Sequence, residues 1–149
     1  MIDREGIIHQ AFSSQDWAHH LGTHEKNNTL LNQQSIGIEL CNWGSLKLKK
    51  SNYINYLEQI IPVDEVYIYD SPFRSSFFYQ EYTSKQLESL KNLISYLCET
   101  YNIPKDFKTD MWDISKLALS GNPGIYTHVS FRKDKSDCHP QKELLEILS

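Results

Sequence analysis

The chain has 149 residues, of which 40% are hydrophobic and 12% aromatic, and its formal net charge is −4 at pH 7. This length fits one folded domain with a substantial apolar core. The negative charge argues against a nucleic-acid-binding protein, which usually has a basic face, and no window is long and apolar enough to insert into a membrane. We expect a soluble globular domain.

Cys41, Cys98 and Cys138 are an odd number of cysteines without a regular spacing. This pattern does not predict a disulfide framework. The first residues also lack the charged segment and apolar core of a secretory signal peptide. We therefore expect synthesis in a reducing cytoplasm.

Two segments of the N-terminal third alternate between apolar and polar residues, as half-buried β-strands do. They are residues 6–12 and, more clearly, residues 35–41. In the second segment Glu39 lies on the face opposite the apolar row. An exposed strand glutamate is the ordinary interpretation of that position, and a catalytic carboxylate is the alternative.

Residues 13–34, between these segments, are polar and rich in Asn, His and Thr, which predicts a long loop. His19, His20 and His24 lie in this loop. Neutral imidazole is the commonest metal donor, so each is a candidate zinc ligand, although loop histidines more often contact substrate or solvent.

The middle of the chain, residues 53–82, is dense in aromatic residues. Residues 65–69 are predicted to form a strand that ends at the Ser71-Pro72 step. The aromatic side chains are expected mainly to fill the core or to steady a loop, and stacking on sugar rings is the alternative.

The clearest helix is predicted from Thr83 to about Tyr101. Thr83 and Gln86 form a capping-box pattern at its start, and apolar residues recur along it at steps of three and four. The Asn-Ile-Pro sequence at 102–104 ends it. Cys98, on or beside the apolar stripe, is expected to be a buried core thiol.

The C-terminal segment holds a second group of candidate functional residues. A turn at 121–124 is predicted to lead into a strand at 125–128 that ends on His128. Cys138 follows shortly before Pro140, which suits the first turn of a closing helix. An imidazole and a thiolate are both zinc donors, but a catalytic zinc ion needs three protein ligands. On spacing alone, two inert core residues are the more common outcome.

Basic residues cluster at 47–50 and at 132–135. The first cluster is interpreted as a solvated loop. The second lies between His128 and Cys138, where positive charge would lower the pKa of a thiol and attract a polarised substrate.

Three separated motifs, at residues 2–10, 35–40 and 128–140, together resemble the zinc-dependent N-acetylmuramoyl-L-alanine amidases. This family includes phage lysozyme-type amidases and the peptidoglycan recognition proteins. The resemblance covers nearly the whole chain in the right order. It implies an α/β fold, a single amidase-like domain over residues 1–149, with a central mixed β-sheet flanked by helices.

The resemblance also assigns roles to particular residues. It implies zinc binding by His128 and by Cys138, because a Cys or Asp follows the late histidine in the family. Glu39 is expected to be the catalytic base. A lysine shortly before the second ligand supports the oxyanion in the family, and Lys135 takes that role here. His20, in a Trp-Ala-His-His-Leu-Gly sequence at 17–22, is expected to line the substrate groove.

The expected activity is zinc-dependent hydrolysis of the amide bond between N-acetylmuramic acid and L-alanine in peptidoglycan, in an endolysin-like setting. The expected partner is therefore peptidoglycan or a muropeptide, without nucleic acid or membrane insertion. In the family a further zinc-binding histidine precedes the first motif, so this chain is expected to be N-terminally incomplete. A non-catalytic peptidoglycan-binding domain and an inactive truncated amidase are the alternatives.

Overall fold

The computed structural model describes residues 1–13, 15–106, 108 and 110–148. Within them lie four helices and five strands. In chain order these are α1 (Asn28–Gln33), β1 (Lys47–Lys49), β2 (Asn52–Ile54), β3 (Ile60–Ile61), β4 (Val66–Phe73), β5 (Ser76–Gln80), α2 (Ser84–Tyr101), α3 (Lys116–Leu119) and α4 (Lys142–Leu148). None of the helices in the described part of the chain is both long and apolar enough to cross a bilayer.

The long helix α2 agrees closely with its prediction. The Thr83 hydroxyl accepts a hydrogen bond from the Gln86 backbone N–H, and the Gln86 side chain accepts one from the Thr83 backbone N–H. This capping box satisfies two N–H groups that a helix start leaves without partners. Asn102 ends the helix in the left-handed conformation, and Cys98 is buried as expected.

The α/β class is as predicted, but the sheet arrangement differs from one central mixed sheet. The described strands form two small antiparallel sheets, β1-β2-β3 and β4-β5. A single bridge between Ser45 and Tyr79 links them, and one parallel bridge joins Ile2 to Leu40. Among the described residues, the parallel pairing expected for a mixed sheet is therefore limited to this isolated bridge.

The predicted strand at 6–12 is wrong apart from a bridge between Ile2 and Ile8. The Asp3 carboxylate accepts hydrogen bonds from the backbone N–H groups of Glu5 and Ile7, and Gly6 has a φ of +80°. These contacts make a turn, so the backbone donors are satisfied by a side chain rather than by a sheet. The segment 35–41 pairs at Leu40 alone.

Two other predictions need correction. The polar segment 13–34, predicted as a loop, contains α1. The predicted strand at 125–128 instead leads into a 3₁₀ turn over His128–Ser130. There the Thr127 hydroxyl and the Ser130 hydroxyl lie near each other and both donate to the Met111 carbonyl, which replaces strand pairing.

The core lies between α2, α4 and the Ile2 segment. Its largest members are almost completely buried, and Cys138 packs against their edge. The buried cluster comprises Ile2, Tyr82, Leu87, Leu90, Met111, Leu144 and Leu148. Helix α4 thus buries one side, as predicted for a closing helix after Pro140. Leu40 and Cys138 therefore pack against the same core.

Candidate functional site

His128 and Asp137 form the closest pair among the candidate residues. The His128 Nδ1 atom lies 2.9 Å from Asp137 Oδ2, and its Nε2 atom lies 3.0 Å from the Leu21 carbonyl oxygen. A carboxylate and a carbonyl only accept hydrogen bonds, so both contacts are hydrogen bonds at once only when the imidazole is doubly protonated. The hydrogen bond that His128 donates to the Asp137 carboxylate raises the pKa of His128 and lowers the pKa of Asp137.

Asp137 was not among the residues selected from the sequence. One feature of the sequence pointed to it: a lysine is expected shortly before the second ligand, and Lys135 stands two positions before Asp137. The resemblance allows a Cys or an Asp as the second ligand, and both occur here, at positions 138 and 137. The structure places Asp137 beside His128.

Cys138 lies in a different environment from its neighbour. Its side chain packs against the core, and desolvation raises the pKa of the thiol to about 12. The Glu39 carboxylate is close enough to contribute to this increase. The thiol is therefore neutral near pH 7, whereas a metal ligand must be a thiolate.

Glu39 and Lys135 influence different residues of the site electrostatically. Glu39 precedes the Leu40 bridge, and its backbone carbonyl accepts a hydrogen bond from the Ile2 N–H at 2.8 Å. Its carboxylate contributes to the electrostatic environment of Cys138. The positive charge of the Lys135 ammonium acts on His128 and Asp137. It adds to the decrease in the pKa of Asp137 and opposes the increase in the pKa of His128.

The His20 ring lies against Gly37. Its Nδ1 is 2.8 Å from the Ala18 carbonyl oxygen and its Nε2 is 2.9 Å from Ser35 Oγ. A Cβ at residue 37 would lie 3.0 Å from the His20 ring, so glycine lets the ring lie against the 35–39 segment. The ring is held in place beside the stretch that carries Glu39.

His139 is enclosed rather than available to a ligand. Its ring stacks between Tyr79 and Tyr82, at centroid distances of 4.6 and 4.5 Å. The Nε2 atom donates to the Gln80 carbonyl at 3.0 Å, so in the neutral ring Nδ1 accepts from the Tyr69 hydroxyl at 2.9 Å. Desolvation lowers the pKa of His139 to about 4. These ring contacts and hydrogen bonds hold the chain in place directly after Cys138.

The comparisons with known proteins give one match. The model of the family described as N-acetylmuramoyl-L-alanine amidase matches residues 1–140. The chain therefore belongs to the N-acetylmuramoyl-L-alanine amidase family. No curated protein and no solved structure matches this chain.

The residues present fit a zinc ion in part. Two ligand atoms on one tetrahedral zinc ion lie about 3.3 Å apart, given zinc–ligand distances of about 2.0–2.1 Å. The 2.9 Å between His128 Nδ1 and Asp137 Oδ2 is a hydrogen-bond distance, so the two side chains lie near each other but His128 would have to give up this proton to bind zinc. Over residues 1–13, 15–106, 108 and 110–148, however, no three His, Cys, Asp or Glu side chains are grouped so that they could hold a metal. The pair suits zinc, but the set of ligands is incomplete.

We predict that the pKa of His128 in the metal-free chain lies above its ordinary value of about 6.5 and falls toward that value in Asp137→Asn. A raised folded-state pKa means that this pair stabilises the fold below pH 6.5 and that the contribution is lost as pH rises through the folded pKa. Titration of the imidazole by NMR between pH 5 and 9 measures it. An unchanged His128 pKa in the variant would show that the ion pair does not form.

Proposed function

We propose that this chain catalyses hydrolysis of the amide bond between N-acetylmuramic acid and L-alanine in peptidoglycan, as a zinc-dependent enzyme over residues 1–149. Family membership supports the reaction class. The observation that carries the site assignment is the contact of 2.9 Å between His128 and Asp137, with Lys135 close by. We assign His128 and Asp137 as two zinc ligands, and Cys138 stays the alternative second ligand.

The remaining roles follow from chemistry and position. Glu39 would accept a proton from the attacking water and deliver it to the leaving amine. Lys135 would stabilise the negative charge that develops on the carbonyl oxygen. His20, held by Ala18 and Ser35, would contact the substrate beside Glu39.

Zinc, when bound, would supply Lewis acidity toward the carbonyl and lower the pKa of a bound water. The chain's own contribution is to release His128 from its two acceptors, because a ring nitrogen that donates a hydrogen bond has no free lone pair. A third ligand is also part of this proposal. We further propose that the chain is synthesised in the cytoplasm and acts on the cell wall after lysis, as an endolysin does.

A second function, peptidoglycan binding without hydrolysis, is favoured by one observation. The described residues do not group three metal donors, and both nitrogens of His128 are occupied. A domain in that state would keep a substrate surface and lack turnover.

The deciding experiment measures zinc content after dialysis and release of soluble peptide from purified peptidoglycan. For the wild-type chain we expect close to one zinc ion and measurable hydrolysis. His128→Ala is expected to lose both, because it removes a ligand. Peptidoglycan that sediments with the protein but is not cleaved, with no retained zinc, would support the binding function instead.

Two variants make this experiment specific. His9→Ala is the matched control, because His9 Nε2 lies 2.9 Å from the Asp3 carboxylate in a similar but exposed pair. It should keep zinc and activity. Glu39→Gln should keep zinc and lower the rate by about 10²–10⁴-fold, the usual contribution of a general base. Loss of zinc in Glu39→Gln would instead make Glu39 a ligand.

A further inference from the structure

Beyond the proposed reaction site, we propose that a second surface binds the sugar rings of the peptidoglycan glycan strand; this inference rests on the proposed function. The surface, here the Trp43–Tyr56 platform, consists of these two aromatic side chains and the cleft beside Trp43. The cleft is lined by Arg4, Cys41, Asn42, Trp43 and Gln80.

The aromatic part of the platform is exposed and held in place. The rings of Trp43 and Tyr56 meet edge to face at a centroid distance of 5.5 Å, yet 71% of Tyr56 is exposed. Tyr and Trp present large, rigid and amphipathic contact areas at a small entropy cost. Leu57 beside it is also exposed, so Tyr56 and Leu57 form an apolar patch next to Trp43, and contiguous apolar patches mark binding surfaces.

The turn that presents Tyr56 is rigid because Asn55 organises it. Asn55 is 1% exposed, and its side-chain oxygen accepts hydrogen bonds from the backbone N–H groups of Leu57 and Gln59. Its side-chain amide donates to the Gln59 side chain at 2.9 Å. A buried polar residue thus fixes a turn whose tip carries two exposed apolar side chains, Tyr56 and Leu57.

Trp43 is fixed from the opposite side. Its backbone N–H donates to the Gln80 side-chain oxygen at 2.9 Å, and Asn42 donates to the Gln80 carbonyl at 2.9 Å. Gly44 follows with a φ of +67°, and a Cβ there would meet nothing within 4 Å. The chain therefore turns after Trp43 and leaves open space beside Gly44.

The charge of the cleft indicates a neutral ligand. Arg4 is the cationic group that lines the cleft, and it lies 2.7 Å from the Glu65 carboxylate and also donates to the Glu81 carbonyl. Its charge is thus largely compensated, so the cleft has no excess charge to select an anion. The cleft has a volume of about 280 Å³. A small cleft with an aromatic wall and neutral polar groups suits a sugar ring, whose apolar C–H face packs on aromatic rings.

The platform continues the stretch that carries Glu39. Both the Glu39 carbonyl and the Cys41 N–H bond to Ile2, so this stretch is extended, and alternate residues of an extended chain share a face. Cys41 lines the cleft, which places Glu39 on the same face. The Cα atoms of Glu39 and Trp43 are at most about 14 Å apart. A sugar on the platform therefore stays within reach of Glu39, as a glycan linked to the scissile amide must.

The test uses the tetramer of N-acetylglucosamine and the metal-free chain. This probe has no stem peptide and no muramoyl amide, so its binding does not depend on zinc or hydrolysis. We expect wild-type chain to bind it and shift the Trp43 indole NMR signal. Tyr56→Ala should weaken the Kd by about 2–12-fold, the range for one aromatic contact.

Tyr96→Ala is the matched control, because Tyr96 is 63% exposed on α2. It should leave the Kd unchanged, and Trp43→Ala should abolish binding. The inference is overturned if the wild-type chain does not bind the tetramer, if Tyr56→Ala binds as tightly as Tyr96→Ala, or if a stem peptide alone shifts the Trp43 signal. If the chain binds the tetramer but the same chain supplied with zinc releases no peptide from peptidoglycan, the amidase proposal fails and the platform stands.

Discussion

Replacement of Asp137 by Asn is expected to weaken zinc binding at least about tenfold, whereas Cys138→Ala is expected to leave it unchanged. Asn keeps the size of the side chain and one oxygen acceptor but removes the negative charge that a cation needs. Asp137 Oδ2 lies 2.9 Å from His128, whereas the thiol of Cys138 is turned into the core with its pKa raised to about 12. Competition with a zinc-chelating dye at pH 7 measures both affinities.

The control for this comparison is Asp134→Asn. Asp134 is an exposed carboxylate in the same loop that pairs with Arg132 instead of His128. It should bind zinc as the wild type does. Strong loss of zinc in Cys138→Ala with retention in Asp137→Asn would make Cys138 the ligand, and would require the segment around residue 138 to turn outward on metal binding.

His139→Ala is expected to lower the free energy of unfolding by about 3 kcal/mol, through a cavity between two tyrosine rings and two lost hydrogen bonds. His139 is 1% exposed, so the space cannot fill with solvent at low cost. The loss corresponds to a decrease in Tm of about 6–12 °C for a chain of this size. Urea denaturation followed by circular dichroism measures it.

The pH dependence of the free energy of unfolding distinguishes the titration of the His139 imidazole from the effect of its volume. The unfolded histidine has a pKa of about 6.5 and the folded one a pKa of about 4, so the unfolded state binds more protons between these values. The free energy of unfolding should therefore fall as pH drops from 6.5 to 4, by up to about 3 kcal/mol. His139→Phe keeps a stacking ring without a titrating group and should lose this part. Equal acid sensitivity in His139→Phe and the wild type would contradict it.

Local patterns of the sequence predicted the elements that local interactions define. The α2 helix, its capping box at Thr83 and Gln86, and the burial of Cys98 follow from residue spacing and from a start that satisfies its own backbone donors. Family membership was also predictable, since three separated motifs in the right order carried it. The roles of Glu39, Lys135, His128 and His20 stay predictions.

Alternation alone did not decide which extended segments become strands. Residues 6–12 alternate, but the Asp3 carboxylate takes the donors of Glu5 and Ile7 and turns the chain. Residues 125–128 read as a strand, but hydroxyls of Thr127 and Ser130 bond to the Met111 carbonyl and form a 3₁₀ turn. In both places side chains compete with the backbone for hydrogen bonds. The alternation of apolar and polar residues carries no information about this competition.

The sequence by itself determined the family and the long helix, and it indicated His128, Lys135 and Cys138 as candidates in the C-terminal segment. Only the tertiary structure decided which of two adjacent residues lies beside His128. Asp137 and Cys138 are consecutive, so a change in backbone direction sends one side chain toward His128 and the other into the core. Directly after them, His139 is stacked between Tyr79 and Tyr82, which are distant in the chain. Such long-range packing leaves no local pattern, and so it could be read only from the folded chain.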